Sequence, residues 1–228
     1  MSSANAREGI LATLRAGLAA APLSVPAPPA RPASLSVGPD AWALLAAVLE
    51  PLEVRLRLAA TPAEAARHVA DIARERGAAS YARWADLPAA AEMDAALAGL
   101  TRLEPNPSGC CQALARADLG LTFAQAALMD SGSLVLVAGP QRPRSVSLLP
   151  PTHVCLVPRA GLVADVSALP ELLRRHAAAS GAFPQGLLPS CLNLITGPSS
   201  TADIELVLVR GVHGPGALDV VGLDWDLE

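Results

Sequence analysis

The chain has 228 residues, 52% of them hydrophobic and only 3% aromatic, so one substantial core filled by Ala, Leu and Val is expected. With 17 basic against 21 acidic residues the formal charge is -4, which excludes the basic footprint of a general nucleic-acid binder. No lysine occurs anywhere, which removes lysine Schiff-base chemistry and the P-loop lysine.

The four cysteines, Cys110, Cys111, Cys155 and Cys191, show no CxxC spacing, and the chain lacks the local thiolate or Cys/His set of a cluster or structural zinc. Reduced cysteines in a cytoplasmic protein are the expectation. No apolar run approaches the roughly 20 residues of a membrane span. Glu8 and Arg15 break the likeness of the N-terminus to a signal peptide.

In chain order, Ile10, Leu11, Leu14 and Leu18 recur at helical spacing, predicting an amphipathic helix over Asn5–Ala20. Prolines 22, 26, 28, 29 and 32 make residues 23–39 an extended linker, so residues 1–39 are set apart from an α/β domain over 40–228. Asp40 is expected to cap a helix over Ala41–Glu50, which Pro51 stops. Val54–Leu58 alternates with period two, as a strand does. Thr61, Pro62, Glu64 and Gly77 mark the start and end of the clearest helix. A strand at Ala79–Ala82, a helix at Ala89–Leu100 and a strand at Thr101–Leu103 follow. Strands separated by such helices indicate βαβ units and a mainly parallel sheet covered on both faces. Ligands of such sheets sit at the carboxyl ends of the strands.

Asn106–Gly109 reads as a turn before a short helix, Ala117–Thr122 as a strand, and Thr122–Met129 as one or two helical turns. Asp130–Ser133 turns into the apolar strand Leu134–Val137, and a basic loop, Gln141–Ser147, precedes the buried strand Thr152–Val157. Ser167 is a candidate cap for a helix at Leu169–Ala179. The stretch Asn193–Glu205 then reads as strand, Gly-Pro break and helix N-terminus, the corner at which backbone N–H groups and the helix dipole suit an anion. The competing reading is that Ser200 and Asp203 merely form a capping pair. Leu206–Val209 fits helix or strand, and Leu218–Leu223 is a last strand.

Three loops share hydroxyls or Arg beside glycine, the composition that cradles phosphate or carboxylate. They supply the candidate ligand-binding residues Thr122, Asp130, Gly132, Ser133, Arg144, Ser147, Gly197, Pro198, Ser199 and Thr201. Asp203, Glu205, His153 and His213 are the candidate acid or base groups. A solvated basic turn for Arg144 and structural hydrogen bonding for either histidine are the competing readings. No metal site is indicated, because no short His spacing occurs. GxSxG and GxGxxG are both missing, which argues against a serine hydrolase and a standard dinucleotide fold.

Ser131–Val135, Arg144…Ser147–His153, Ile195–Glu205 and Gly211–Pro215 occur in one order that resembles the lactate-utilisation protein C family, with its LUD domain. The resemblance covers Ala117 to the C-terminus closely and the first half in element order. It implies an α/β/α sandwich similar to the NagB/RpiA/CoA-transferase-like fold. It also implies a role beside two iron–sulfur partner proteins in oxidising L-lactate to pyruvate. The clusters would belong to those partners and no cofactor to this chain, whose ligand would be a small carboxylate or phosphate. Two departures stand out: the family usually has Glu-Thr-Gly-Thr where this chain has Asp130–Ser133, and Arg or Asn is expected in many relatives at Ser200. The alternatives are an isomerase or acyl-CoA-transferase-like enzyme using Asp203 or Glu205, and a scaffold that docks a partner through the first helix and linker.

Overall fold

The computed structural model describes residues 3–20, 37–104, 112–139, 141–180, 189, 191–202 and 208–227. The chain forms two compact units, Met1–Ala33 and Ser34–Glu228. The first contains the helix α1 (Ser3–Ala20), on which Ile10 and Leu14 are exposed. No helix among the described residues is long and apolar enough to cross a membrane.

The second unit opens with α2 (Ala41–Leu49), which buries Ala41, Trp42, Leu45 and Leu49 on one face. Asp40 precedes it without a side-chain capping bond, and the α-helix ends before Pro51, which lies in a 3-10 turn at Glu50–Leu52. The strand β1 (Arg55–Ala59) leads to α3 (Pro62–Glu75). Its cap is as expected: Thr61 Oγ1 accepts from the Glu64 N–H at 3.2 Å, and the Glu64 carboxylate accepts from the Ala60 N–H at 2.9 Å. Gly77 then takes the left-handed conformation (φ 64°) that turns the chain after the helix.

Next come β2 (Ser80–Arg83), α4 (Ala90–Ala96), β3 (Thr101–Arg102) and β4 (Leu119–Phe123). The expected turn at Asn106–Gly109 lies outside the described residues. The helical turns expected over Thr122–Met129 are absent. That stretch finishes β4 and forms β5 (Ala126–Leu128), which pairs with β6 (Leu134–Val137) across the Asp130–Ser133 turn. A short helix α5 (Ser145–Leu148) interrupts the expected basic loop before β7 (Thr152–Pro158). The strand β8 (Leu162–Val163) precedes α6 (Leu169–Ser180). Asp165 caps the 3-10 turn ahead of α6 by accepting from the Ser167 N–H at 2.7 Å, so Asp165 takes the role expected of Ser167.

Beyond β9 (Leu192–Ile195) there is no helix N-terminus at Ser200. The chain enters β10 (Ser200–Ala202), antiparallel to β11 (Leu208–Arg210), with Thr201 opposite Val209. Asp203 and Glu205 lie outside the described residues. The chain closes with β12 (Ala217–Leu223).

Six strands form an all-parallel sheet in the order β1-β12-β7-β4-β2-β3. The alternating side chains of its central strands divide two cores. Leu119, Leu121, Val154, Leu156, Val221 and Leu223 face α3 and α4, with Val69, Ile72 and Met93. Cys155, Val157, Leu218 and Val220 face α2 and a second sheet, β8-β5-β6-β9, through Leu134 and Leu136. Leu169 of α6 packs against Ala126, Leu128 and Val135 in a third cluster. Each fully buried Leu or Val contributes about 1.5–3 kcal/mol, so this two-sided burial holds the sheet despite the scarcity of aromatics. The mainly parallel α/β sandwich is as expected, with the second sheet forming part of one outer layer.

Candidate functional site

The motif-bearing loops meet at the amino ends of β7 and β12, around a cavity of about 440 Å3. Its wall brings together Ser147, His153, Gly197, Pro198, Ser199 and His213, all expected at one site. Thr196, Ser200, Gly214 and Pro215 join them. The expected position at the carboxyl ends of the strands does not hold for this group. The motifs precede β7 and β12 in the chain, so parallel strands deliver them to the opposite end of the sheet.

Gly120, which the sequence reading passed over, sets how closely α5 approaches β4. A Cβ there would stand 1.9 Å from the carbonyl oxygen of Val146, so only glycine lets α5 lie directly on β4. That contact carries Ser147 to the cavity, where its hydroxyl donates to the Arg144 carbonyl at 3.0 Å. A glycine inside an otherwise apolar strand was the available signal.

His153 is 1% exposed. Its Nε2 lies 2.7 Å from Thr122 Oγ1, and Thr122 also donates to Cys155 Sγ at 3.6 Å. The thiol in turn donates to the Leu156 carbonyl at 3.7 Å. The run of donors that satisfies all three groups has Nε2–H donating to Thr122, leaving Nδ1 as an acceptor. Burial holds the imidazole pKa down at about 3 and pushes the Cys155 thiol up to about 12, so both stay neutral. Thr122 thus lies beneath His153, outside the cavity lining.

The Asp130–Ser133 turn is closed by Gly132 N–H donating to the Leu128 carbonyl at 2.8 Å, with Gly132 at φ 68° packed against Leu49 and Leu52. Ser133 Oγ lies 2.6 Å from Thr196 Oγ1 and 2.9 Å from Ser131 Oγ. This hydroxyl chain reaches the cavity only through Thr196. The loops on the other side are laced together: the Ser199 N–H donates to the Pro215 carbonyl at 2.9 Å, and the Gly211 N–H to the Ser199 carbonyl at 3.0 Å.

Other expected members stand apart. Asp130 and Arg144 are exposed and outside the lining, and Thr201 is held in the β10–β11 hairpin. Arg144 therefore supplies no guanidinium fork here; a polypeptide turn at Pro143–Ser147 uses its carbonyl instead. What the cavity offers is hydroxyls, a neutral imidazole acceptor and His213, with no arginine among the described residues of its wall.

The sequence signature described as the LUD domain matches residues 43–221. The lactate utilization protein C of Halalkalibacterium halodurans is 46% identical over 100 residues, which cover 44% of this chain and 41% of that protein. The protein of the same name from Bacillus subtilis is 43% identical over 100 residues, 44% of this chain and 40% of its own. The matched stretch thus spans about two fifths of the length of these relatives. A solved structure described as a DUF162 family protein from Deinococcus radiodurans superposes with a TM-score of 0.57 at 22% identity, covering 83% of this chain and 99% of that one. It supports the fold. The signature takes in most of both cores and every wall of the amino-end cavity, and the chain belongs to the LUD-domain family.

Proposed function

We propose that this chain serves a lactate-utilisation system as a component without iron–sulfur clusters, and that its amino-end cavity holds a small carboxylate. The observation that carries the reading is the cavity itself. A neutral, deeply buried imidazole and several hydroxyls converge on a space of about 440 Å3, built from the segments that mark the family. The names of the relatives supply the metabolic setting.

The chemistry fits an anion held by hydrogen bonds rather than by a guanidinium. Hydroxyl and backbone donors satisfy the carboxylate, while His153 Nδ1 accepts a hydrogen bond from a hydroxyl on the same ligand. In this reading electron transfer belongs to iron–sulfur partner proteins, and this chain binds and presents the ligand to them.

Two experiments test this together. Titration of the full chain with L-lactate and with pyruvate is expected to show saturable binding, weakened at least tenfold in Ser199→Trp, which fills the cavity. Lactate-dependent reduction of an acceptor by the purified partner set is expected to fall when this chain is omitted. An unchanged rate without the chain refutes the role, and binding unaffected by Ser199→Trp refutes the site.

A further inference from the structure

A second hollow, of about 1100 Å3, lies at the opposite end of the parallel sheet, outside the carboxyl ends of β4, β7 and β12. Phe123 and Pro158, at the ends of β4 and β7, and Asp224–Leu227, after β12, line it together with Val163 and Leu172. Open α/β sheets hold their ligands in this crevice, yet none of the family motifs reaches it.

Gln125 stands in its wall, 8% exposed. Its Oε1 accepts from the Val137 N–H at 2.7 Å. An N–H can only donate, so this bond fixes which way the amide points. The amide nitrogen has one contact, a long 3.5 Å approach to the Phe123 carbonyl. One of its two N–H groups is left without an acceptor among the described residues, on a side chain more than nine-tenths buried. Buried donors are costly to leave unpaired.

The charges around the hollow decide against an anion. Arg159 is engaged by Asp224 at 2.8 Å and by the Pro39 carbonyl at 3.3 Å. Glu171 is bonded to Arg174, and Asp226 adds a further carboxylate at the rim. A phosphate or carboxylate would meet three carboxylates and one committed guanidinium. The remaining surface is apolar and aromatic, suited to the faces of a flat ring.

We propose that this carboxyl-end cleft binds an uncharged planar heterocycle bearing a ring carbonyl, whose oxygen accepts from Gln125 Nε2 while Phe123, Leu172 and Trp225 contact the ring. The site is distinct from the amino-end cavity and does not rest on the lactate reading.

The test titrates the full chain with riboflavin and with uridine, two neutral carbonyl-bearing heterocycles, followed by ligand or tryptophan fluorescence and by calorimetry. Saturable binding of at least one is expected. Gln125→Met is expected to weaken it tenfold or more, and Ala168→Trp, which fills the cleft from its rim, to abolish it. Where Gln125→Met fails to fold, Ala168→Trp decides. The proposal is overturned if neither probe saturates in the millimolar range, or if binding survives Ala168→Trp. It is also overturned if folded Gln125→Met binds as well as the parent. Flavin mononucleotide binding tenfold tighter than riboflavin would show that a phosphate, and not the ring, is recognised, and would overturn it too.

Discussion

His153 makes the stability of this protein depend on pH in a way that can be isolated. The folded imidazole resists protonation down to about 3, whereas the same group in the unfolded chain protonates near 6.5. Its folded-state pKa is depressed, so the stability tied to the neutral ring is complete above about 6.5 and is lost as the pH falls towards 3. The groups nearest the ring do not offset this, because Thr122 does not titrate and Cys155 stays a thiol. Between pH 7 and pH 5 the unfolded state gains a proton that the folded state refuses, a loss of about 2 kcal/mol. For a domain of this size that corresponds to about 4–8 °C in melting temperature. His153→Gln retains an amide able to bond Thr122 but cannot titrate. Thermal unfolding at both pH values is expected to show the parent losing about 4–8 °C more than the variant. Equal losses in the two proteins, or an NMR titration of His153 with a midpoint near 6, would refute the reasoning.

Three further substitutions probe the scaffold. Gly120→Ala sets a methyl 1.9 Å from the Val146 carbonyl oxygen and displaces α5; a loss of about 3 kcal/mol or more, measured by denaturant unfolding, is expected, together with weakened ligand binding at the amino-end cavity. Asp219 is 1% exposed and accepts from Arg55 at 2.8 Å and Arg76 at 2.9 Å. Asp219→Asn is expected to cost about 2–4 kcal/mol in the same measurement, with part of the loss spared because both arginines reach solvent. Thr61→Ala removes the α3 cap and is expected to cost about 1 kcal/mol; a neutral result would show the cap to be replaced by water.

The alternation of strands and helices was legible because its signals are local. Thr61, Pro62 and Glu64 start a helix wherever they stand, and Thr152–Val157 is apolar enough to be a buried strand in any α/β protein. Two stretches defeated the same logic. Residues 122–129 are mostly apolar, which suits helix or strand, and only the partners Leu134–Val135 and Leu162–Val163 make β5 a strand. The Ser199–Thr201 stretch carries hydroxyls that serve a helix cap or a turn equally well. Pairing of Thr201 with Val209 decides for the hairpin.

The site divides along the same line. The residue types were readable: His153, His213, Ser147 and the Gly197–Ser199 loop do meet. Their place at the amino ends of β7 and β12 was not, because it follows from the strand order β12-β7-β4 and from Gly120, whose missing side chain admits α5. Nor could sequence alone expose Gln125 and the cleft beside it. An amide is functional or structural according to where its partners lie, and Val137 reaches Gln125 only through the pairing of β5 with β6.

By itself the sequence determined the family, the parallel α/β class and the chemistry available at the motif-bearing loops, since these rest on residue identity and short-range periodicity. Only the tertiary structure decided which of those groups share a cavity, which end of the sheet carries it and how each hydrogen bond is directed. Those properties belong to contacts between distant segments, and burial is created by the folded assembly and not by any one segment.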